Sequence, residues 1–244
     1  MTIENIFLIV YMVRFKDFPD FRPNLTPRQM FKLGSFGGTY WRPIYSSVVD
    51  KKLKNQHKKF PKSWWKGIPD SHLTSSVCNK KRNKYSVNVG TSLEFWEEKK
   101  WITKHDPYGW VQWYCNFYNG RRSPDDRRQI DRWKGVAGGN GRFRKWLVTL
   151  ILKKKGKWND VTISPKIRQT LQHWGYRLTK KDFDKEISQR KLKSLAIASW
   201  NINSVRLRID LVAKFLKLAD PDVMCLQETK CVDEKLPLET FESF

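Results

Sequence analysis

Acidic residues are scarce in this 244-residue chain: 24 Asp+Glu stand against 48 Lys+Arg, a formal net charge of +24. A surface so poor in carboxylates disfavours basic partners and favours polyanions, of which nucleic acid is the commonest in a cell. Cysteine is sparse too. Cys78, Cys115, Cys225 and Cys231 form no C-x-x-C pair, which argues against a zinc knuckle, and they read as reduced thiols of an intracellular protein. Histidine is equally rare, and His57, His72, His105 and His173 contain no i, i+4 pair. Only His105 has an acid beside it, Asp106, and that acid is better used as a helix cap. All four histidines are therefore expected at the surface or at caps. Membrane-length apolar runs are absent. The run Ile6 to Val13 is eight residues, too short to span a bilayer. Glu4 precedes it without a basic n-region, a poor fit to a signal peptide. The run reads as a buried strand or a first helix, and the chain as soluble, cytoplasmic and without membrane contact.

What the sequence has instead is aromatics and localised charge. Twelve tryptophans within a 39% hydrophobic composition argue against disorder, which is usually aromatic-poor. Residues 191–244 hold 8 basic and 8 acidic side chains, so the first 190 hold 40 against 16 and carry the whole +24. This break divides the chain into two units.

The first unit, residues 1–185, reads as mainly α. Thr26-Pro27-Arg28-Gln29 has capping-box spacing with proline at the first helical position, and Gly34 can end that helix. Thr91 to Glu94 repeats the spacing. Asp106-Pro107 is expected to open a helix toward Gly120, and Ser123-Pro124-Asp125-Asp126 another, its acids at the positive end of the macrodipole. Ser164-Pro165 opens a later helix closed by Gly175. Phe143, Trp146, Leu147, Leu150 and Ile151 make one face of a helix from Arg142 to Lys154. The Tyr108–Tyr118 segment, apolar nearly all round, should be the most buried helix. Ser86 to Val89 alternates weakly, as a short strand would.

Two loops and the tryptophans admit functional readings. Gly138-Gly139-Asn140-Gly141 precedes Arg142 and Arg144, so a phosphate could sit at that helix start. No strand precedes it and no G-K-[ST] follows, and a plain connector is preferred. The glycines of Gly34 to Pro43 allow either close ligand approach or a tight turn packed by its own aromatics. Trp64 and Trp65, set among lysines in Phe60 to Lys66, are candidate base-stacking residues. Most of the eleven tryptophans here must nevertheless form core, with one or two exposed at most. No catalytic constellation emerges in this unit. Phe21-Arg22-Pro23-Asn24, Gly37 to Pro43 and His173-Trp174-Gly175-Tyr176 resemble an uncharacterised microbial tryptophan-rich family, over residues 15–185.

Residues 186–194 are polar and charged, fitting a linker or helix end, and a different pattern begins at Leu195. Leu195 to Asn201 reads as a buried strand. Asn203 or Ser204 can cap a helix with Leu207, Leu211, Val212, Phe215, Leu216 and Ala219 on one face, ended by Pro221. Val223 to Leu226 is a second buried strand, delivering Gln227-Glu228-Thr229-Lys230 at its C-terminal end, where α/β sites lie.

Trp200-Asn201-Ile202-Asn203-Ser204-Val205-Arg206, then Pro221-Asp222-Val223, then Leu226 to Lys230 resemble the start of exonuclease III-type apurinic endonucleases. The resemblance covers residues 195–244. It implies the first strand–helix–strand of a four-layer α/β sandwich of the endonuclease/exonuclease/phosphatase superfamily, whose members cut DNA beside abasic sites with Mg²⁺ or Mn²⁺. It makes Glu228 the metal-ligand carboxylate, with Asn201 and Asn203 lining the metal and phosphate site and Arg206 and Lys230 on the nucleic-acid side. Mg²⁺ chemistry agrees, since that ion takes one or two carboxylates and shares phosphate oxygens with substrate. No small-molecule cofactor is implied. The family's other acids, its tyrosine and its Asp–His pair lie further along than residue 244, and no methionine starts the segment. The expectation is therefore a fusion, read-through or cut reading frame, inactive as it stands. The alternative is a non-catalytic basic nucleic-acid-binding protein carrying a nuclease remnant.

Overall fold

The computed structural model describes residues 13–193 and 196–241, so the apolar run from Ile6 lies, up to its last residue, outside the described residues. The chain divides into two compact units, Met1–Phe183 and Asp184–Phe244, each described by itself. The whole is mainly helical, with a small parallel sheet near the C-terminus.

In the first unit the chain enters α1 (Pro27–Lys32) through a reciprocal cap. The Gln29 amide donates to the Thr26 hydroxyl at 3.2 Å, and the Thr26 amide to Gln29 Oε1 at 2.8 Å. Gly34, at φ +93°, ends the turn beyond it, a conformation that costs an L side chain about 1–2 kcal/mol. A Cβ at Gly34 or Gly38 would also overlap the carbonyl of Arg82 or Ser71. This loop is packed against the 71–84 segment as well as by its own aromatics. The Lys84, Ser75 and Asn79 amides donate to the carbonyls of Gly34, Gly38 and Gly37 at 3.1, 3.0 and 3.1 Å.

A hairpin of β1 (Ile44–Ser46) and β2 (Lys51–Leu53) follows, antiparallel with Tyr45 opposite Lys52. Sequence pattern missed it because each strand is three residues and β2 carries two lysines. Ser86 to Val89, expected as a strand, has no strand pairing. The short helices α2 (Lys62–Trp65) and α3 (Leu93–Glu98) come next. The cap of α3 is Ser92, one residue past the expected Thr91, whose hydroxyl instead accepts from Trp96 Nε1 at 2.6 Å.

The centre is α4 (Trp110–Tyr118), with Trp113, Tyr114, Cys115 and Phe117 buried. It starts at Gly109, at φ +82°, rather than at Asp106. Asp106 is buried, pairs with Arg121 and accepts from Asn116 Nδ2 at 2.7 Å. Burial raises its pKa, with Arg121 and Asn116 opposing that rise. α1 and α5 (Asp126–Val136) pack on α4, and α6 (Arg142–Lys153) packs between α5 and α7 (Pro165–His173). The apolar face of α6 is shifted from expectation: Leu147, Val148 and Ile151 are buried, whereas Trp146 is exposed. Gly138 to Gly141 connects α5 to α6, and side chains at Gly138 or Gly141 would collide with the α5 backbone. Gly175, at φ +64°, closes α7. Its carbonyl accepts from the Asn24 and Leu25 amides at 3.0 Å each.

Two histidines expected at the surface are buried, His57 and His173. His173 is held below its usual range, at about 3, because burial penalises the imidazolium.

The helix α8 (Lys180–Lys193) runs from the end of the first unit into the second. In the second unit, β3 (Ile197–Asn201) and β4 (Val223–Gln227) pair in parallel across α9 (Val205–Ala219). The expectation of buried strands is corrected: Ile197 and Val223 are exposed, and burial along both strands alternates. The buried face of α9 also differs. Val205 and Val212 are buried with Ile209 and Leu216 beside them, while Leu207, Leu211 and Leu218 face solvent. Two strands cover only one narrow side of a helix.

Two outcomes follow from this packing. His173 has a folded pKa below its unfolded 6.5, so its contribution is complete above pH 6.5 and is lost as pH falls toward 3. Unfolding free energies from urea titrations between pH 6.5 and 5, above most carboxylate titration, should fall with a slope that rises toward about 1.4 kcal/mol per pH unit. His173→Gln should flatten that slope. Second, a peptide of residues 191–244 should unfold without cooperativity by circular dichroism, since its buried core is Ile202, Val205 and Val212 and chain entropy outweighs so little burial.

Candidate metal and phosphate site

The parallel register sets Asn201 opposite Gln227, so the loops leaving β3 and β4 emerge side by side. Their backbones zip together: the Ile202, Ser204 and Val205 amides donate to the carbonyls of Gln227, Glu228 and Thr229 at 3.0, 2.9 and 2.9 Å. This pairing holds Asn203, Ser204, Glu228 and Lys230 at positive φ (46°, 89°, 51° and 48°). Left-handed non-glycine residues persist where surroundings over-determine them, and such residues cluster at functional sites.

The side chains converge as the backbone dictates. Asn201 Nδ2 donates to Glu228 Oε1 at 2.8 Å. Lys230 Nζ donates to Asn203 Oδ1 and lies 4.0 Å from Glu228 Oε2. The carboxylate is 54% exposed and the ammonium 58%, so solvent screens their attraction. Arg206, at the start of α9, is exposed. Five of the candidate residues thus belong to one end of one strand pair, and Asn201, Asn203, Glu228 and Lys230 form a connected polar chain.

Trp64 and Trp65 belong to the first unit, half-buried against its core. Trp64 stacks on Phe60 at 5.5 Å, and Trp65 Nε1 donates to the His57 carbonyl at 2.8 Å. The exposed tryptophans of that unit are Trp101 and Trp146.

Sequence reasoning passed over Arg208. Its guanidinium donates to the carbonyls of Ile202, at 2.9 Å, and Asn203, fixing the loop that presents Asn203. A signal was available: cations in the first turn of a helix oppose the macrodipole, and α9 carries both Arg206 and Arg208 there.

Glu228 and the Asn203 amide offer hard oxygen donors, the type Mg²⁺ and Mn²⁺ take, one or two carboxylates being enough when waters fill the rest. The donor set fits in kind and is thin in number. Among the described residues no group of three or more His, Cys, Asp or Glu is placed to hold a metal. The ammonium of Lys230 competes for the same two oxygens.

The Endonuclease/Exonuclease/phosphatase family matches the chain over residues 198–243. That stretch contains most of β3, all of α9 and β4, and every polar group of the site. The C-terminal segment therefore resembles this nuclease and phosphatase superfamily. No solved structure matches the chain. Among the described residues no helix is long and apolar enough to cross a membrane.

A divalent ion held at Glu228 would have to contend with Lys230, so Lys230→Met should tighten any Mn²⁺ binding there by about two- to fivefold, the range of an exposed ion pair. Titration followed by Mn²⁺ electron paramagnetic resonance measures this.

Proposed function

We propose that residues 195–244 carry the metal-side part of an exonuclease III-type phosphodiesterase site acting on DNA, and that the basic first unit holds nucleic acid by its phosphates. The observation that carries the first half is the Asn201–Glu228 hydrogen bond at the ends of paired parallel strands, within the segment matching the family.

Glu228 would hold Mg²⁺ or Mn²⁺ with Asn203 beside it, and the ion would supply Lewis-acid polarisation of a phosphoryl oxygen. Asn201 orients the carboxylate by donating to Oε1, leaving Oε2 toward the cation. Arg206 and Lys230 would meet phosphate oxygens, which both side chains bind by charge-assisted hydrogen bonds. Residues 191–244 contain no histidine, and Glu228 is already committed as a ligand. General-base activation of water needs a further positioned group, and the described residues offer none beside Glu228.

The 244-residue chain is accordingly expected to bind Mn²⁺ through Glu228 and to leave an abasic-site duplex uncut in Mg²⁺. Amide signals of Asn201, Gln227 and Glu228 should broaden on Mn²⁺ addition, and Glu228→Gln should abolish the effect. Unchanged broadening in that variant would refute the metal assignment, and cleavage lost in the variant would show that this half-site suffices.

A second reading rests on the +24 charge confined to the first 190 residues: a non-catalytic nucleic-acid binder. Affinity for a mixed-sequence duplex should then fall steeply with salt as counterions are released, whether or not Glu228 is intact.

A further inference from the structure

The first unit contains a cleft of about 570 Å³, within the roughly 300–1,000 Å³ usual for small-ligand sites. Its walls are aromatic, with Phe36, Trp96, Trp101, Trp110 and Trp174 among them. A neighbouring hollow of about 470 Å³ shares the Phe36, Tyr40 and Trp96 wall and adds Arg42. The lining of both contains arginine and no carboxylate.

Three features of this cleft ask for a ligand. The first is Arg132. Its guanidinium lies 5.5 Å from the ring centres of both Trp101 and Trp174, and Nη1 donates to the Trp101 carbonyl and Gln129 Oε1 at 3.0 and 2.9 Å. Burial lowers its pKa to about 10, which leaves it charged at neutral pH. Among the described residues no carboxylate lies within ion-pairing distance of it. The attraction of Asp125 only partly offsets its burial and the repulsion of Arg128; a partly buried cation without a close counterion is costly, and an anion in the cleft would relieve that cost.

The second is His173, which lines the cleft and is 6% exposed. The Tyr85 amide donates to Gln169 Oε1 at 3.1 Å, and Gln169 Nε2 donates to the Gly34 carbonyl at 3.2 Å, which fixes the amide orientation. Gln169 Nε2 and the Phe36 amide then both donate to His173 Nε2 at 3.0 Å. The ring proton therefore sits on Nδ1, and Nδ1–H meets no acceptor among the described residues. The imidazole also stacks on Phe36 at 3.8 Å.

The third is Gly135, on the cleft wall inside α5. A Cβ there would meet nothing within 4 Å, and no left-handed φ requires glycine. Glycine inside a helix costs about 1 kcal/mol relative to alanine, so no packing or backbone constraint accounts for it. Its absence of a side chain keeps the cleft open.

From an aromatic slot, a His173 Nδ1–H without an acceptor and an arginine without a close counterion, we propose that this cleft binds a nucleotide. The base stacks among Phe36, Trp101 and Trp174, His173 Nδ1–H donates to an acceptor on its edge, and Arg132 with Arg142 at the rim takes the phosphate. Aromatic faces accept any base, and arginine recognises phosphate oxygens. The shared chemistry is a base with its phosphate, supplied either by a free mononucleotide or by one nucleotide of a single strand. This deepens the reading of the first unit as a nucleic-acid binder and is separable from it, since duplex binding by surface charge does not need the cleft.

The test is tryptophan-fluorescence titration of the full chain at physiological salt. The probes are adenosine monophosphate, uridine monophosphate, a mixed-sequence single strand of about 12 nucleotides, adenosine and inorganic phosphate. The nucleotides, the strand or both should bind, with adenosine and phosphate each weaker by about tenfold. Mononucleotide binding without strand binding assigns a free nucleotide; a strand that mononucleotide displaces assigns a nucleotide within a chain. Gly135→Phe should fill the cleft, weaken these ligands by at least about tenfold, and leave the unfolding midpoint unchanged or raised. Arg132→Met should weaken nucleotide while sparing adenosine. Low-salt duplex binding should survive in Gly135→Phe. The proposal is overturned if Gly135→Phe binds nucleotide and strand as the parent does, if phosphate alone binds as tightly as nucleotide, or if no probe binds.

Discussion

The fold of the first unit depends on one constraint: burying a large aromatic side chain is costly unless its polar tip finds a partner. Trp113 Nε1 donates to Asp126 Oδ1 at 2.8 Å, Trp133 Nε1 to the Trp174 carbonyl at 2.9 Å, and Trp110 Nε1 to the Gln129 carbonyl at 3.3 Å. Tyr114 Oη donates to the Leu25 carbonyl at 2.8 Å and Tyr40 Oη to the Tyr108 carbonyl at 2.6 Å. Each bond joins separate elements, from the neighbouring helices α4 and α5 to Leu25 and Tyr114. Apolar area drives collapse, and these directional bonds decide which arrangement of short helices results. Trp41 is the exception, with its Nε1 buried and unpartnered.

The same requirement explains what could be read in advance. Thr26 and Gln29 cap locally, and Gly34 and Gly175 end turns by backbone conformation alone, so sequence spacing was enough. Asp106 looked like a cap and is an ion-pair partner of Arg121, because Gly109 supplies the turn that starts α4. Gln129, Gln169 and Gln172 carry no outward sign of burial, yet all three are buried, serving as partners for groups from other elements. Such roles are set by tertiary neighbours, and no local pattern encodes them.

In the second unit the converse holds. That the candidate residues Asn201 and Glu228 would come together was legible because they sit at strand ends whose parallel pairing follows from the strand–helix–strand order. The packing was not, because an amphipathic helix pattern states which residues are apolar and not how many are covered. Leu207, Leu211 and Leu218 satisfy the pattern of a wide apolar face, while the strands and the C-terminal turn cover only Val205, Ile209, Val212, Leu216 and, against Trp200, Phe215. Of the aromatic cleft only the Gly34 to Pro43 loop carried a sequence signal, and that signal fitted a packed turn equally well. Phe36, Arg132 and His173 lie on separate elements, and only packing brings them to one wall.

The β3–β4 pair has a further consequence for how the protein behaves among other chains. Among the described residues each strand has one neighbour, so both outer edges present unpaired amides and carbonyls, flanked by exposed Ile197 and Val223. Such an edge templates the addition of another strand. The segment carries equal numbers of opposite charges and lacks the electrostatic repulsion that keeps the first unit apart from its copies. Crowding should join molecules tail to tail through backbone hydrogen bonds, an assembly that salt strengthens by screening the first units from one another, opposite in sign to phosphate binding by the basic unit.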